Sequence, residues 1–397
     1  MAFTSGAAAG RLEQFFQAIG DVLGTPQRRA SFATYAMGLF SAAERKSVEP
    51  LAVHACPDPH EADAAHQRLL HFLVDSQWSD HAVRRTANTY ALAAMTEQGG
   101  PIEAWIIDDT GFLKQGKHSV GVQRQYTGSA GKITNCQIGV SLTLATHTEH
   151  LPIDFQLYLP ESWTSDPARR KEARIPPVVQ FQTKPELALA MIRRALLDGV
   201  SPGVVLADSA YGSSSDFRRE LRQLRLRYAV AVNPTTKVEL VDQPERPSVS
   251  VSALATELAA AGAFRRCTWR EGTGHPMWAR FAMQRVQLSE DEEVWLLIEW
   301  RNGEAEPANY FLAWFPRRFT RTSLVRIVMQ RWRTERAYED LKGELGLDHY
   351  EGRRFPGWHH HVTVALACYA FLVAERSRRF PPSASRSVAY GEVPLPA

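Results

Sequence analysis

The stretch that decides the fold runs from Trp105 to Gly111 and reads W-I-I-D-D-T-G. Its short apolar run is typical of a buried central strand, and the run ends in two adjacent carboxylates. Burying an ionised carboxylate is costly unless a cation or hydrogen bonds compensate it, so the pair needs an explanation. Because neighbouring side chains on a strand face opposite sides, Asp108 and Asp109 cannot share one site unless the strand ends between them. A polar strand end that caps a turn into Thr110 is the simpler alternative.

The composition is that of a folded protein with nearly balanced charge. Its 397 residues are 44% hydrophobic and 10% aromatic, enough for sizeable cores and for two or three domains. The formal net charge is only +3, so any surface for nucleic acid must be built locally. The four cysteines lack paired spacing, which argues against a zinc site or a disulfide framework and fits a reducing compartment.

Nothing in the sequence predicts targeting or membrane insertion. The N-terminus has no basic start followed by an apolar stretch, and no apolar run is long enough to span a bilayer. We therefore expect a cytoplasmic protein with no membrane partner.

Five segments follow one another along the chain. Residues 1–100 show helical periodicity and predict a helical N-terminal domain, which could bind DNA ends or simply cover the core. Residues 101–235 predict the first part of a mixed α/β core that begins with a three-strand antiparallel meander. Residues 236–316 predict a β-rich insertion and residues 317–380 the completion of the core with C-terminal helices. Residues 381–397 predict a flexible tail.

A second acid follows another buried run. The segment G-V-V-L-A-D-S-A-Y-G has the pattern of a strand that ends at Asp208. In mixed sheets, sites form where strand ends meet beside a change in strand order. Asp109 and Asp208 are therefore predicted to lie at the ends of neighbouring strands.

A third acid lies on a long predicted helix that starts after Thr320 and ends near Gly346. At about 100° per residue, one narrow stripe of this helix carries four polar side chains: Arg331, Glu335, Tyr338 and Lys342. A carboxylate between an arginine and a lysine can hold a cation or meet a phosphate. The alternative is an exposed helix stabilised by ion pairs between successive turns.

The segment after the first acid is rich in glycine and in basic residues. Its cationic side chains could follow backbone phosphates near the first acid: Lys114, Lys117, His118, Arg124 and Lys132. A solvated loop with no partner is the alternative.

Together these segments resemble a known family. R-W-R-T-E-R-A-Y-E-D-L-K matches the R-x3-E-x6-K part of the signature of DDE transposases of the insertion-sequence-four-like clan. D-D-T-G and A-D-S-A-Y-G resemble the first two acid motifs of that clan. The segment W-I-I-D-D-T-G-F-L-K-Q-G-K is similar to the DDE superfamily endonucleases of bacterial insertion sequences. L-Y-L-P-E-S-W, T-K-P-E-L-A and L-G-L-D-H-Y-E-G-R extend the similarity.

The resemblance implies a ribonuclease H-like mixed sheet and a catalytic triad. Its acids would be Asp109, Asp208 and Glu335, which would also be the metal ligands. Asp109 is preferred to Asp108 because the family places a threonine directly after the catalytic aspartate.

The resemblance also assigns DNA contacts and shows one departure. Arg331 and Lys342 fall on positions that contact the DNA backbone. The full signature has a tyrosine three residues before the arginine, and here that position is Val328. Tyr338 shares the stripe but not the sequence position. The departure affects one phosphate-positioning contact and leaves the metal site untouched.

The implied function is a DNA transposase that cleaves insertion-sequence ends and transfers the strand into target DNA. Three carboxylates can hold two divalent cations, and Mg²⁺, with Mn²⁺ as a substitute, is the expected ion. The expected partner is double-stranded DNA, as transposon ends and as target, bound by a homodimer at the bacterial nucleoid. Two alternatives stay open: a catalytically impaired DNA-binding derivative, motivated by Val328, and a DNA endonuclease without strand transfer.

Overall fold

The computed structural model describes residues 6–56, 58–271, 276–315 and 319–379. The predicted flexible tail at 381–397 lies outside these residues. Within the described part of the chain, no helix combines the length and the apolar character needed to cross a membrane.

Helices make up the N-terminal part of the chain, as its periodicity predicts. They are α1 (Gly6–Leu23), α2 (Pro26–Phe40), α3 (Val48–Ala55), α4 (Pro59–Leu70) and α5 (Asp80–Gly99), with a π-helical segment, His71–Asp75, after α4. Hydroxyl caps set two of the helix starts. The side chains of Thr25 and Ser79 each accept a hydrogen bond from the backbone N–H three residues later.

These N-terminal helices share a hydrophobic cluster with the sheet and with the C-terminal helix α14 (Phe355–Arg379). The rings of Phe15 in α1 and Phe371 in α14 lie 5.5 Å apart. Arg11 donates two hydrogen bonds of 2.6 Å to the Glu375 carboxylate. The helices are thus packed as a cover on the core, and their role in binding DNA ends stays a prediction.

A mixed sheet forms the centre of the molecule. Its strands are β1 (Ala104–Leu113), β2 (Gln123–Thr127), β3 (Lys132–Ala145), β4 (His150–Tyr158), β5 (Val204–Ala207), β6 (Tyr228–Val232), β7 (Lys237–Leu240), β8 (Val249–Ser250), β9 (Arg265–Glu271), β10 (Pro276–Gln287), β11 (Glu293–Trp300) and β12 (Asn309–Trp314). The order is β2-β3-β1-β5-β6-β12-β11-β10-β7-β8, with β4 paired to β3 and β9 paired to β10. β1 is antiparallel to β3 and parallel to β5, and β5 is parallel to β6. The predicted mixed α/β class is confirmed.

Helices cover both faces of the sheet near its centre. The remaining ones are α6 (Glu161–Thr164), α7 (Pro167–Ala173), α8 (Lys184–Leu197), α9 (Ser209–Gly212), α10 (Ser215–Gln223), α11 (Val251–Ala260), α12 (Arg321–Val328) and α13 (Trp332–Leu345). Trp105 and Ile107 of β1 belong to the cluster shared with the N-terminal helices, while Ala104 and Ile106 belong to a second cluster that includes Val328 of α12. β1 is therefore buried on both faces, which explains its continuous apolar run.

The region predicted as a β-rich insertion extends the central sheet. β12 lies antiparallel to β6 over five residue pairs, from Tyr310 opposite Val232 to Trp314 opposite Tyr228. β11 and β10 continue the sheet beyond β12. Without this pairing β6 would present a row of unpaired backbone groups, so the insertion closes an otherwise open edge.

The single long helix predicted between Thr320 and Gly346 is interrupted. Both predicted ends are confirmed, because Thr320 caps α12 through the Ser323 backbone N–H and Gly346 ends α13 with a φ of 62°. A 3-10 turn at Met329–Arg331 separates α12 from α13. α12 packs on β9 whereas α13 packs on β4 and β1, so the turn lies where the packing partners change.

Candidate active site

The two adjacent acids of the central strand face opposite sides. β1 continues to Leu113, and its pairing with β3 places Asp108 opposite Ser141 and Asp109 opposite Val140. The strand therefore does not end between the acids, and their side chains point to different faces of the sheet. Gly111 makes the continuation possible, because a Cβ there would lie 2.0 Å from the Thr127 hydroxyl oxygen.

Asp108 shares its face with Asp208. β1 and β5 are parallel, with Ile106 opposite Leu206, so the two aspartates each lie two residues beyond a paired position. Asp208 immediately follows β5, and its carboxylate accepts a hydrogen bond of 2.9 Å from the Ala210 backbone N–H at the start of α9. The structure therefore brings Asp108 and Asp208 together where β5 ends, beside a β1 that continues to Leu113.

Burial and neighbouring charges shift the pKa of Asp108. The pKa of its carboxyl is raised to about 7, chiefly by burial; the charge of Asp208 adds to this shift and the Arg331 guanidinium opposes it. Arg331 Nη2 lies 3.6 Å from Asp108 Oδ2. The acid beside Asp208 and Arg331 is thus Asp108, whereas the sequence had favoured Asp109.

Asp109 has a different set of partners on the other face. Its Oδ2 atom accepts hydrogen bonds from Lys184 Nζ at 3.0 Å and from the Tyr211 hydroxyl at 3.1 Å. Lys184 begins α8 and Tyr211 lies in α9. A lysine ammonium therefore already compensates the Asp109 carboxylate.

α13 lies across the face that carries Asp108. The Thr334 and Thr143 hydroxyls are 2.8 Å apart, and the Tyr338 hydroxyl is 2.6 Å from that of Ser141. Burial raises the pKa of Tyr338 well above its usual value, so this hydroxyl keeps its proton. These contacts fix α13 against β3 and leave the side chain of Glu335 exposed.

Glu335 lines a cavity of about 750 Å³ between α13 and the extended part of the sheet. Arg331, one turn earlier, lines the same cavity, as do Trp278 and Phe311 from the strands opposite. Val328, which stands where the family signature has a tyrosine, is 2% exposed and contributes to one wall. The cavity joins the third acid to the arginine that reaches Asp108.

The donor set fits a divalent cation in part. Asp108 and Asp208 offer the hard carboxylate oxygens that Mg²⁺ and Mn²⁺ prefer, and a cation would compensate the buried charge of Asp108. Among the described residues, however, no three histidine, cysteine, aspartate or glutamate side chains lie close enough to hold a metal ion together. Glu335 is therefore not gathered with the two aspartates.

Comparison with known sequences identifies the family. The sequence model of the DDE superfamily endonucleases matches residues 14–276, more than half of the chain. The chain belongs to the DDE superfamily endonucleases. The family predicted from the acid motifs is confirmed, and the matched residues include Asp108, Asp109 and Asp208 but not Glu335.

A related protein carries a transposase name. The probable transposase for insertion sequence element IS701 of Microchaete diplosiphon is 32% identical over 176 residues, which is 44% of this chain and 43% of that protein. The chain therefore matches less than half of the length of this relative.

In this DDE endonuclease chain, Lys342 has internal partners. Its Nζ donates to the Thr110 hydroxyl at 2.9 Å, the Gly111 carbonyl at 2.8 Å and the Ser129 hydroxyl at 3.2 Å. Burial lowers the pKa of Lys342. The lysine thus ties α13 to β1 and to the turn between β2 and β3.

The basic segment of the DDE endonuclease chain divides into buried and exposed cations. Lys114 donates to the Tyr350 carbonyl, and burial lowers the pKa of Lys114. Lys117, Arg124 and Lys132 are exposed. The exposed side chains can contact a phosphate directly. Lys114 can do so only after its hydrogen bond to the Tyr350 carbonyl breaks.

Sequence reasoning missed two residues that contact the acid pair, Lys184 and Tyr211. Both lay in segments quoted for the family resemblance, T-K-P-E-L-A and A-D-S-A-Y-G, so the signal was present. The sequence does not show that either residue contacts Asp109, so Lys184 resembled an ordinary surface lysine and Tyr211 an ordinary core tyrosine.

Proposed function

We propose that this chain is an insertion-sequence transposase that cuts DNA at the ends of its element and joins the free end to target DNA. The observation that carries the proposal is the parallel alignment of β1 and β5, which sets Asp108 beside Asp208 on the face covered by α13. Membership of the DDE superfamily endonucleases supports the nuclease chemistry. The name of the IS701 relative supports the transposase role.

The strand order supports a ribonuclease H-like core. β4, β3 and β1 form an antiparallel meander, and β5 and β6 follow in parallel with β1. On this proposal the predicted segments act as units: a helical cover at 1–100, a core completed by 317–380, and strands of 236–316 that extend it.

We assign the catalytic acids as Asp108, Asp208 and Glu335. Asp108 replaces Asp109 in this set because Asp109 faces the opposite side and is paired with Lys184. Glu335 lies one turn after Arg331, whose guanidinium reaches Asp108. A small shift of α13 on binding DNA would turn Glu335 toward the two aspartates.

Each residue has a role in the proposed reaction. Asp108 and Asp208 would hold two Mg²⁺ or Mn²⁺ ions, and Glu335 would complete the ligand set. When bound, such ions would neutralise charge on the attacking and leaving oxygens. Arg331 orients the scissile phosphate, since its guanidinium is both beside Asp108 and on the cavity wall.

Water acts first as the nucleophile and leaves a 3′-hydroxyl at the element end. That hydroxyl then attacks a phosphodiester of the target, and the target oxygen leaves as the new bond forms. Lys117 and Arg124, which are exposed, contact the DNA backbone. Lys342 and Lys114 would contact the DNA backbone after exchanging an internal hydrogen bond for one to a phosphate. Two element ends are brought together by a homodimer.

Incubation of the purified chain with duplex DNA that carries the element ends, in Mg²⁺, tests the proposal. We expect nicked ends followed by joined products, and no cleavage by Glu335→Gln although DNA is still bound. Glu339→Gln, an exposed acid on the same helix, is the matched control. Binding without nicking would favour the impaired DNA-binding protein, and nicked ends that never join would favour a simple endonuclease.

A further inference from the structure

We propose that Asp109, Tyr211 and Lys184 form a positioning cluster that fixes the two active-site aspartates from the opposite face of the sheet. The inference rests on the proposed function, because it takes Asp108 and Asp208 as the acids that hold the metal ions. The three members of this back-face cluster are positioning residues. They act through the aspartates and touch neither substrate nor metal.

The cluster converges on one atom. Lys184 Nζ and the Tyr211 hydroxyl both donate to Asp109 Oδ2, at 3.0 Å and 3.1 Å. Tyr211 is fully buried. Burial and the neighbouring carboxylates raise the pKa of Tyr211 well above its usual value, so its hydroxyl donates at every physiological pH.

Tyr211 links the strand of one acid to the turn of the other. α9 begins immediately after Asp208, which caps it through the Ala210 backbone N–H. At the far end of α9, a Cβ on Gly212 would lie 2.0 Å from the Ala231 carbonyl oxygen, so this turn lies directly against β6. The hydroxyl of Tyr211 ties the turn to β1 as well, one residue after Asp108.

Lys184 supplies the positive charge that compensates the Asp109 carboxylate. It is the first residue of α8, whose start is fixed by a capping box between Thr183 and Glu186. The Lys184 ammonium lies 3.0 Å from Asp109 Oδ2. This ion pair holds the Asp109 side chain on its own face of β1, one residue after Asp108.

The position of Asp109 excludes a simpler explanation. If it were a metal ligand that happens to be paired before the ion binds, its side chain would face Asp208. The continuous strand directs it to the other face instead. Of the two adjacent acids, Asp108 is therefore the one that binds the metal ion, and Asp109 is the one that positions its neighbours.

The test uses the full chain and removes one hydroxyl with Tyr211→Phe. We expect Mn²⁺ binding to the protein without DNA, followed by electron paramagnetic resonance, to weaken about tenfold, since losing a residue that positions metal ligands commonly costs about tenfold to hundredfold in affinity. The Mg²⁺ concentration for half-maximal nicking should rise by a similar factor. DNA affinity should stay unchanged, and a higher Mg²⁺ concentration should restore most of the nicking rate.

Tyr35→Phe is the matched control. Tyr35 is also fully buried, and its hydroxyl lies 2.8 Å from His361 Nδ1 in the helical cover. Both variants should lose a similar amount of thermal stability, but only Tyr211→Phe should lose metal affinity. Lys184→Met should behave as Tyr211→Phe does, and Lys184→Arg should recover part of the loss.

Each remaining outcome decides against a stated part of the scheme. Unchanged Mn²⁺ binding and nicking in both Tyr211→Phe and Lys184→Met, with an active wild-type chain, would overturn the positioning role. Abolition of Mn²⁺ binding by Asp109→Asn, as complete as that by Asp108→Asn, would make Asp109 a ligand and overturn it too. A wild-type chain that neither binds Mn²⁺ nor nicks DNA would overturn the proposed function and this inference with it.

Discussion

Asp108 and Asp109 are neighbours in the chain, yet the central strand gives them opposite surroundings. On the face covered by α13, Asp108 lies half-buried beside Asp208 and Arg331, with its pKa raised. On the back face, Asp109 is paired with Lys184 and bonded by Tyr211. A strand covered on both sides thus separates two adjacent acids into one that is available to a cation and one that an ammonium already compensates.

The largest expected effect breaks the pair apart. Asp108→Asn and Asp208→Asn should each slow nicking by about a thousandfold or more, because a lost metal ligand removes the charge that stabilises the transition state. Asp109→Asn should slow it only about tenfold to hundredfold, since it shifts its neighbours rather than removing a ligand. Single-turnover nicking measures both.

Glu290→Gln, an exposed acid in a surface loop, is the control for these carboxylate changes. It should nick at the wild-type rate, and all variants should bind DNA with similar affinity. If Asp108→Asn were fully active and Asp109→Asn inactive, Asp109 would be the metal ligand and Asp108 the positioning residue.

Burial shifts the pKa of two histidines of α14 in the opposite direction to that of Asp108, which sharpens the contrast between buried acids and buried bases. It lowers the pKa of His359 and of His361 to about 4. The unfolded chain therefore binds more protons than the folded one between pH 4 and 6.5, so the stability these residues contribute is present above pH 6.5 and lost as the pH falls. From pH 6.5 to 5, each histidine should lower the free energy of unfolding by about 2 kcal/mol.

The free energy of unfolding is measured by denaturant titration of the Asp108→Asn variant at each pH. This background is used because the raised pKa of Asp108 makes stability change with pH in the opposite direction over the same range. The double variant His359→Gln with His361→Gln in that background should show a shallower decline, and the remainder comes from other histidines such as His150 and His360, whose pKa values burial also lowers. An equally steep decline without the two histidines would contradict the assignment.

Gly111 tests whether the strand must continue past the acids. Gly111→Ala places a Cβ against the Thr127 side chain, and the free energy of unfolding should fall by about 1–3 kcal/mol as the turn between β2 and β3 moves away. Gly128→Ala is the matched control, since a Cβ there meets nothing within 4 Å. Thermal denaturation compares the two. Equal stability would mean that the close approach at Gly111 carries no constraint.

The smallest expected effect concerns Lys342. Lys342→Met removes two hydrogen bonds from α13 to β1 and one to Ser129 in the turn between β2 and β3, and the free energy of unfolding should fall by about 1–2 kcal/mol. Lys132→Met, on an exposed lysine of β3, should leave stability unchanged. The salt dependence of DNA binding separates two roles: a slope smaller by about one means a phosphate contact as well, and an unchanged slope limits Lys342 to anchoring α13.

The sequence predicted features that depend on local pattern. The apolar run before Asp108, the threonine cap at Thr320 and the glycine end at Gly346 were all visible as short-range signals. The order of strands at the start of the core followed from short connections. Such features need only propensity and spacing.

What the sequence could not predict depends on contacts between distant residues. The D-D-T-G segment resembles a turn, but pairing with β3 keeps it extended to Leu113. Lys184 meets Asp109 across 75 positions of chain. Lys114 and Lys342 looked like free cations because nothing local shows which carbonyl or hydroxyl oxygen will accept their hydrogen bonds.

The five residue pairs between β12 and β6 have a mechanical consequence. A region hydrogen-bonded to the core along a whole strand cannot swing away as a hinged lid without breaking backbone bonds. The wall that it offers to the cavity beside Glu335 is therefore held to the core by the backbone pairing of β12 with β6. If the chain acts on DNA as proposed, a strand that enters this cavity would have to adapt its shape to that wall.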